Sequence, residues 1–222
     1  MAGRTPSGRP EGHPMRVGFF VQGDGVHWDV AKTLLSSCRK AMPDVEIVQL
    51  TDGKTPAHEG VSVVRMAGDM PMAVRRMSLQ GMLSGDWLFI DTDCVIRKDV
   101  RHVFDDKDFG VALTDRVGSL VGEGPYGKKM PYNIGVVFSR DPSFWGEVVK
   151  NLVELPAKAQ EWEGDQWVVA EMVRAGWPVK VIPGRIYNFT PELGHESVDH
   201  ASIVHFKWRR KEWIKEICGN DC

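Results

Sequence analysis

The stretch Trp87-Leu88-Phe89-Ile90-Asp91-Thr92-Asp93 runs four apolar residues straight into a pair of carboxylates. Successive side chains on a strand face opposite sides, so a run apolar throughout must be buried on both faces, as in a parallel sheet covered by helices. In open sheets of that kind ligands gather beyond the carboxyl ends of the strands, which sends Asp91 and Asp93 into a crevice and not into the core. Residues two apart share a side of an extended chain, so the two negative charges are crowded unless a cation lies between them. A divalent ion is the natural partner, and oxygen ligands favour manganese or magnesium.

Outward from this stretch, short β-branched or aromatic runs alternate with longer segments of helical period. Strands are expected at 17–21, 45–50, 61–66, 87–90, 109–113, 134–138, 179–182 and 203–206. Helices are expected over 30–38, 72–83, 142–152 and 162–175, with Trp162, Gln166, Val169 and Val173 on one face of the last, and a short basic helix over 209–217. The alternation predicts an α/β fold, a mixed and mostly parallel Rossmann-like sheet flanked by helices. Residues 1–14, rich in Gly, Pro, Arg and Ser, read as a disordered leader, and residues 15–222 as a single domain. A Gly-rich loop is expected at 118–127.

Composition narrows the function classes. At 222 residues, 42% hydrophobic and 26% charged, the chain has enough apolar material for one full core. A formal net charge of -2 gives no overall attraction to nucleic acid or anionic membrane, so any polyanion must meet a local patch such as Lys207-Trp208-Arg209-Arg210-Lys211. Cys38, Cys94, Cys218 and Cys222 lack the paired spacings of a zinc ribbon and read as reduced thiols of a cytoplasmic protein. No run approaches the roughly 20 apolar residues that span a bilayer.

Four segments together resemble a known family. Residues 87–96 are similar to the D-x-D segment of GT-A glycosyltransferases, most closely the family 8-like group that transfers hexoses from nucleotide sugars. Pro131-Tyr132-Asn133-Ile134-Gly135-Val136-Val137 resembles that group's F-N-S-G-V strand, Gly164-Asp165-Gln166 its D-Q-D motif, and Ile203-Val204-His205-Phe206-Lys207-Trp208 its H-x-G-x-x-K-P-W segment. The resemblance implies a GT-A fold, with Asp91, Asp93 and His205 as ligands to manganese or magnesium. It implies that the donor diphosphate, of a UDP-sugar, meets Asp91 through the metal and a cation drawn from Lys207, Arg209, Arg210 and Lys211. Asn133, Asp165 and Gln166 are the implied catalytic and sugar-cradling residues. Gln22 and Asp52 are expected near base or ribose, and Arg75 or Arg76 near the diphosphate or Asp91. A glycan is the expected acceptor, with nucleic acid as the second candidate.

The departures from the pattern are specific. His205 is followed by neither the Gly nor the Pro of the motif, and Gln166 by Trp167 where the motif has a second Asp, which weakens the case for a retaining mechanism. Taken singly, His205 could be a core histidine, the Lys207–Lys211 run a solvated helix face, Asn133 a turn residue and Asp165 an acid at a helix N-terminus. Their joint order separates the two readings. Two alternatives stay on the table: a non-catalytic glycan- or nucleotide-binding module on the same fold, and a sugar nucleotidyltransferase. The second lacks support at Gln22-Gly23-Asp24-Gly25, which carries no cation for phosphate.

Overall fold

A computed structural model describes residues 14–116, 130–161, 163–214 and 216. Most of the expected leader, the Gly-rich loop at 118–127, Trp162, Cys218 and Cys222 lie outside the described residues.

The centre is a seven-stranded sheet in the order β3-β2-β1-β4-β7-β6-β8. β1 (Arg16–Phe20), β2 (Glu46–Thr51), β3 (Ser62–Arg65) and β4 (Trp87–Ile90) run parallel. β7 (Tyr132–Ser139) runs against both β4 and β6 (Val111–Asp115), and β8 (Lys180–Ile182) lies parallel to β6 at the edge. The expected sheet, mixed and mostly parallel, is therefore present. Gly18 explains how β1 and β4 pack: a Cβ there would lie 3.0 Å from the Phe89 ring, which stacks on Trp87 with centroids 5.6 Å apart.

Helices cover both faces. α1 (Val26–Ala41) buries Ala31, Leu34, Leu35 and Cys38 on one face, where they join Leu88 and Ile90 in one apolar cluster. α2 (Met72–Gly81), α3 (Pro142–Leu152) and α5 (Gly164–Arg174) cover the other face and join Trp87 and Phe89 in a second cluster. Every residue of β4 is buried, as an apolar run covered on both sides requires. Cys38 and Cys94 are free and buried, in keeping with the thiol reading.

Several boundaries differ from expectation. The strand expected at 109–113 is Val111–Asp115, and the helix expected over 162–175 is preceded by a short α4 (Ala157–Glu161) and starts at Gly164. Glu163 takes φ 68°, which ends one helix and starts the next, and a Cβ on Gly164 would lie 2.2 Å from the Ala159 carbonyl oxygen. That helix buries Asp165, Val168, Val169 and Met172, so the face expected to carry Gln166 is turned by one position. Of the basic helix expected over 209–217, residues up to Trp213 belong to a 3₁₀ turn, Trp208–Trp213, residues 214 and 216 are helical, and residues 215 and 217 lie outside the described residues. A short α6 (Gly184–Tyr187) follows β8. β5 (Cys94–Ile96) pairs antiparallel with β9 (Ile203–His205) in a second, small sheet, with Cys94 opposite His205.

Phe89 sits 1% exposed between Trp87 and the edge of Trp145. Phe89→Ala is expected to lower unfolding free energy by about 3–5 kcal/mol. A urea titration reading a loss below about 1 kcal/mol would contradict the packing described for the central strand.

Candidate active site

The site forms where β4 ends. The Asp91 amide donates to the Gly135 carbonyl at 2.8 Å, which ties the acidic turn to β7, and the Cys94 amide closes the turn on the Asp91 carbonyl. On the other side β7 departs from β6: the pairing jumps from Leu113 with Val137 to Thr114 with Asn133. This irregularity, one step on β6 against four on β7, loops residues 134–136 out of the β6 ladder and re-aims Asn133 and Gly135 toward Asp91. The β5–β9 ladder does the rest, because Cys94 opposite His205 and a bond from the Phe206 amide to the Asp93 carbonyl at 2.8 Å set His205 beside the acids.

His205 Nε2 lies 3.0 Å from Asp93 Oδ1 and 3.6 Å from Asp91 Oδ2. The imidazole is held from behind. Thr114 Oγ1 donates to the Asn133 carbonyl, and the Gly135 amide donates to Asn133 Oδ1, so both of those side-chain oxygens accept from Asn188 Nδ2, at 2.7 Å and 3.1 Å. Asn188 Oδ1 is thereby turned to His205 Nδ1 at 2.9 Å and accepts a hydrogen bond from its N–H, leaving Nε2 directed at the carboxylates. Asp93, Asn133, Asp165, Asn188 and His205 are all buried.

Cations surround the acids. Arg76 on α2 meets Asp91 Oδ1 at 2.8 Å and the Ile134 carbonyl at 3.0 Å, while Lys211 meets Asp93 Oδ2 at 2.8 Å. Burial works to raise the Asp93 pKa, but His205 and Lys211 outweigh it and hold the carboxyl well below the ordinary range. Burial also dominates at Asp165 and there it prevails, lifting the carboxyl above its ordinary value against the pull of Arg76. Lys207 is lowered to about 8, by burial first and by the neighbouring Arg116 second.

Two carboxylates and an imidazole nitrogen form a donor set that fits a divalent cation. Bonds of about 2.1 Å at right angles place neighbouring ligand atoms about 3 Å apart, close to the separations around His205 Nε2. The cradle has no room for a side chain opposite it: a Cβ on Gly135 would lie 2.4 Å from His205 Cε1 and 2.6 Å from Asp91 Oδ2. Cys94 Sγ is also within 4.8 Å of the Asp93 and His205 ligand atoms. Burial first, then Asp93 and Asp91, keep it a neutral thiol, and a hard cation takes the second carboxylate in preference.

Around these groups opens a cleft of about 290 Å³. Its walls include Gln22, Arg76, Asp91, Asp93, Asn133, Asp165, Gln166, His205, Lys207 and Lys211 among the residues expected from sequence. Asp52 is not in the wall; its carboxylate accepts from the Lys54 and Thr55 amides and shapes the turn after β2. Arg75 is one layer back, donating to Gln22 Oε1 at 2.6 Å and to the Gly68 carbonyl, so it braces a wall residue. Arg209 is exposed and outside the wall, whereas Arg210 lines it. Sequence reasoning missed Asn188, Gly135, Arg116 and Thr190. Gly135 lies in the Asn133-Ile134-Gly135 segment, which was the available signal; Asn188 acts through packing that leaves no local signal, and Arg116 is one arginine among many until its bonds to Gln166 and to the Tyr132 carbonyl place it.

No protein-family model and no curated protein matches this sequence. Solved structures do. The glycosyltransferase GlyE of Streptococcus pneumoniae TIGR4 is 16% identical with a TM-score of 0.64, over 93% of this chain and 62% of that one. The galactosyltransferase LgtC, solved with donor and acceptor sugar analogs, is 15% identical with a TM-score of 0.58, over 92% of this chain and 95% of that one. This chain has the GT-A fold. A glycosyltransferase involved in glycosylation of the major capsid of PBCV-1 gives 16% identity and a TM-score of 0.57, covering 91% of this chain and 98% of that one. The chain thus spans less than two thirds of GlyE and nearly all of LgtC.

Two outcomes check this geometry. Gly135→Ala is expected to keep the far-ultraviolet circular dichroism of the parent while weakening the binding of added manganese, read by calorimetry, about 10–100-fold, as losses of ligand support do; unchanged binding would show that the cradle tolerates displacement. The raised Asp165 pKa means that ionisation costs the folded state more than the unfolded one, so this residue removes stability as pH rises above its unfolded value of about 3.9. Asp165→Asn does not titrate, so its melting temperature relative to the parent should climb between about pH 4 and about pH 7. A difference constant across that range would contradict the assignment.

Proposed function

We propose that the protein is a metal-dependent glycosyltransferase that moves a hexose-type sugar from a nucleotide diphosphate donor, UDP-linked, to an acceptor. The observation that carries the proposal is the convergence of Asp91, Asp93 and His205 at the end of the buried strand, with Arg76 and Lys211 at their flanks. The GT-A fold supports the same reading.

Residues supply the roles in sequence along the cleft. Gln22, braced by Arg75, lies beyond β1 on the side where nucleotides bind in open α/β sheets, and the loops after β1 and β2 are pinned by the Gly23 amide donating to Thr55 Oγ1 at 2.6 Å. Asp91, Asp93 and His205 would hold manganese or magnesium, which when bound supplies positive charge for the phosphate oxygens of the departing diphosphate. Lys211, held on Asp93, is within reach of the same oxygens, and a fixed cation there stabilises charge that grows as the bond to the anomeric carbon breaks. The sugar carbon becomes oxocarbenium-like, and Asn133, Asp165 and Gln166 form a polar wall beside it. Gln166 is oriented by Arg116, which donates to its Oε1 at 2.5 Å. Arg76 ties Asp91 to the Ile134 carbonyl of β7, and its charge also acts on Asp165 in the sugar wall.

A glycan- or nucleotide-binding module without turnover is the second reading; the polar wall beyond the acids argues against capture of a nucleotide alone, and turnover separates the proposal from capture of a glycan. Calorimetric titration with UDP and with GDP, each in manganese and then in excess chelator, tests the proposal. UDP should bind only with the metal, and Asp93→Ala should abolish that binding. Metal-independent binding, or binding retained in Asp93→Ala, would refute the site; binding without any sugar transfer or donor hydrolysis would favour the module.

A further inference from the structure

A second, smaller crevice continues from the cleft on the side away from β1. It shares Arg116, Asn133, Thr190 and Lys207 with the cleft and adds Asp115, Gly184 and Arg185. From β1 to β6 is three strand steps in the sheet, about 14 Å at about 4.8 Å per step. That separation puts the crevice at the sugar end of the proposed donor site, where an acceptor must enter to meet the anomeric carbon.

The charge of this crevice is lopsided. Arg116, Arg185 and Lys207 face it, and among the described residues the one carboxylate in its wall, Asp115, accepts from the Gly184 amide at 2.6 Å. Arg116 donates its Nε to the Tyr132 carbonyl and one terminal nitrogen to Gln166, both uncharged; neither its guanidinium nor the Lys207 ammonium forms an ion pair within 4.0 Å among the described residues, and Glu163 acts on Arg116, and Asp91 and Asp93 on Lys207, only at longer range. Thr190 Oγ1, in the same wall, is buried without a partner among the described residues. Two cations side by side and an orphaned hydroxyl are costly unless something accepts from them, and a neutral sugar hydroxyl answers only part of that demand. An oxyanion answers all of it, because a carboxylate or phosphate has several acceptor sites and forms stronger, charge-assisted bonds with arginine and lysine.

We propose that Arg116, Arg185, Lys207 and Thr190 form a subsite for an oxyanion on the acceptor, so that the acceptor is an acidic saccharide carrying a carboxylate or phosphate group. The inference rests on the glycosyltransferase reading for the meaning of "acceptor", and Arg116 and Lys207 are shared with the donor cleft while Arg185 is not. Arg185 is exposed at the mouth and touches none of the groups placed at the metal or the donor, so it is the position for a clean test.

The experiment is a ligand-detected magnetic resonance titration of the full chain, with and without UDP and manganese, using glucuronate, glucose 6-phosphate and glucose as probes. Glucuronate or glucose 6-phosphate should bind at least about tenfold more tightly than glucose, and Arg185→Gln should remove most of that preference while leaving UDP affinity unchanged. Preference for one acidic probe over the other names carboxylate or phosphate as the source. Equal binding of all three probes, binding of none, or a preference that survives in both Arg185→Gln and Lys207→Met would overturn the subsite. Failure of UDP to bind with the acidic preference intact would overturn the donor reading alone.

Discussion

Two carboxylates that converge on one imidazole are unstable neighbours unless they are compensated, and the groups that compensate Asp91 and Asp93 come from three separate parts of the chain. Arg76 arrives on α2, His205 on β9 and Lys211 from the 3₁₀ turn that follows. An unpaired ion in such surroundings costs several kcal/mol even after relaxation. The requirement for compensation therefore links elements on both faces of the sheet to one point at the end of β4. The β5–β9 ladder is the means, since it is a backbone pairing that sets His205 opposite Cys94 whatever the charges do.

Behind the charges stands a neutral network. Thr114, Asn133, Gly135 and Asn188 satisfy one another in a single sequence of donors and acceptors, and its last member fixes the imidazole. A fully satisfied polar network in a buried place is rigid, because each member has only one orientation that leaves no group unpaired. The bulge in β7 is what creates room for it. Gly135 is the tightest point, where backbone must pass between His205 and Asp91 with no side chain at all.

The cleft changes character along its length. Near β1 it is lined by Gln22, which Arg75 braces; at β4 it is crowded with paired charge; beyond β7 it carries Arg116 and Lys207, which form no ion pair among the described residues. Asp165 lies between the second and third zones, and burial holds its carboxyl above the ordinary range at a cost to the fold. Buried groups that destabilise the chain they belong to are common at functional sites, where position matters more than stability.

The residues at 87–93 determined more of this protein than any other stretch. An apolar run that must be covered on both faces dictates a central parallel strand, and a central parallel strand ending in two acids dictates a polar crevice there. Period and composition were also enough for the helices of 30–38, 72–83 and 142–152, because burying one stripe is a local demand. Order along the chain was enough to nominate Asn133, Asp165, Gln166, His205 and the basic run. Tertiary structure alone decided that Lys211 reaches Asp93 while Arg209 points away, that Arg75 braces Gln22 while Arg76 meets Asp91, and that Asp52 serves its own turn. It alone brought in Asn188 and Arg116. Those choices depend on register, on a bulge and on the tightness of one turn, and a shift of a single residue in any of them leaves composition and period unchanged while turning every side chain to another face.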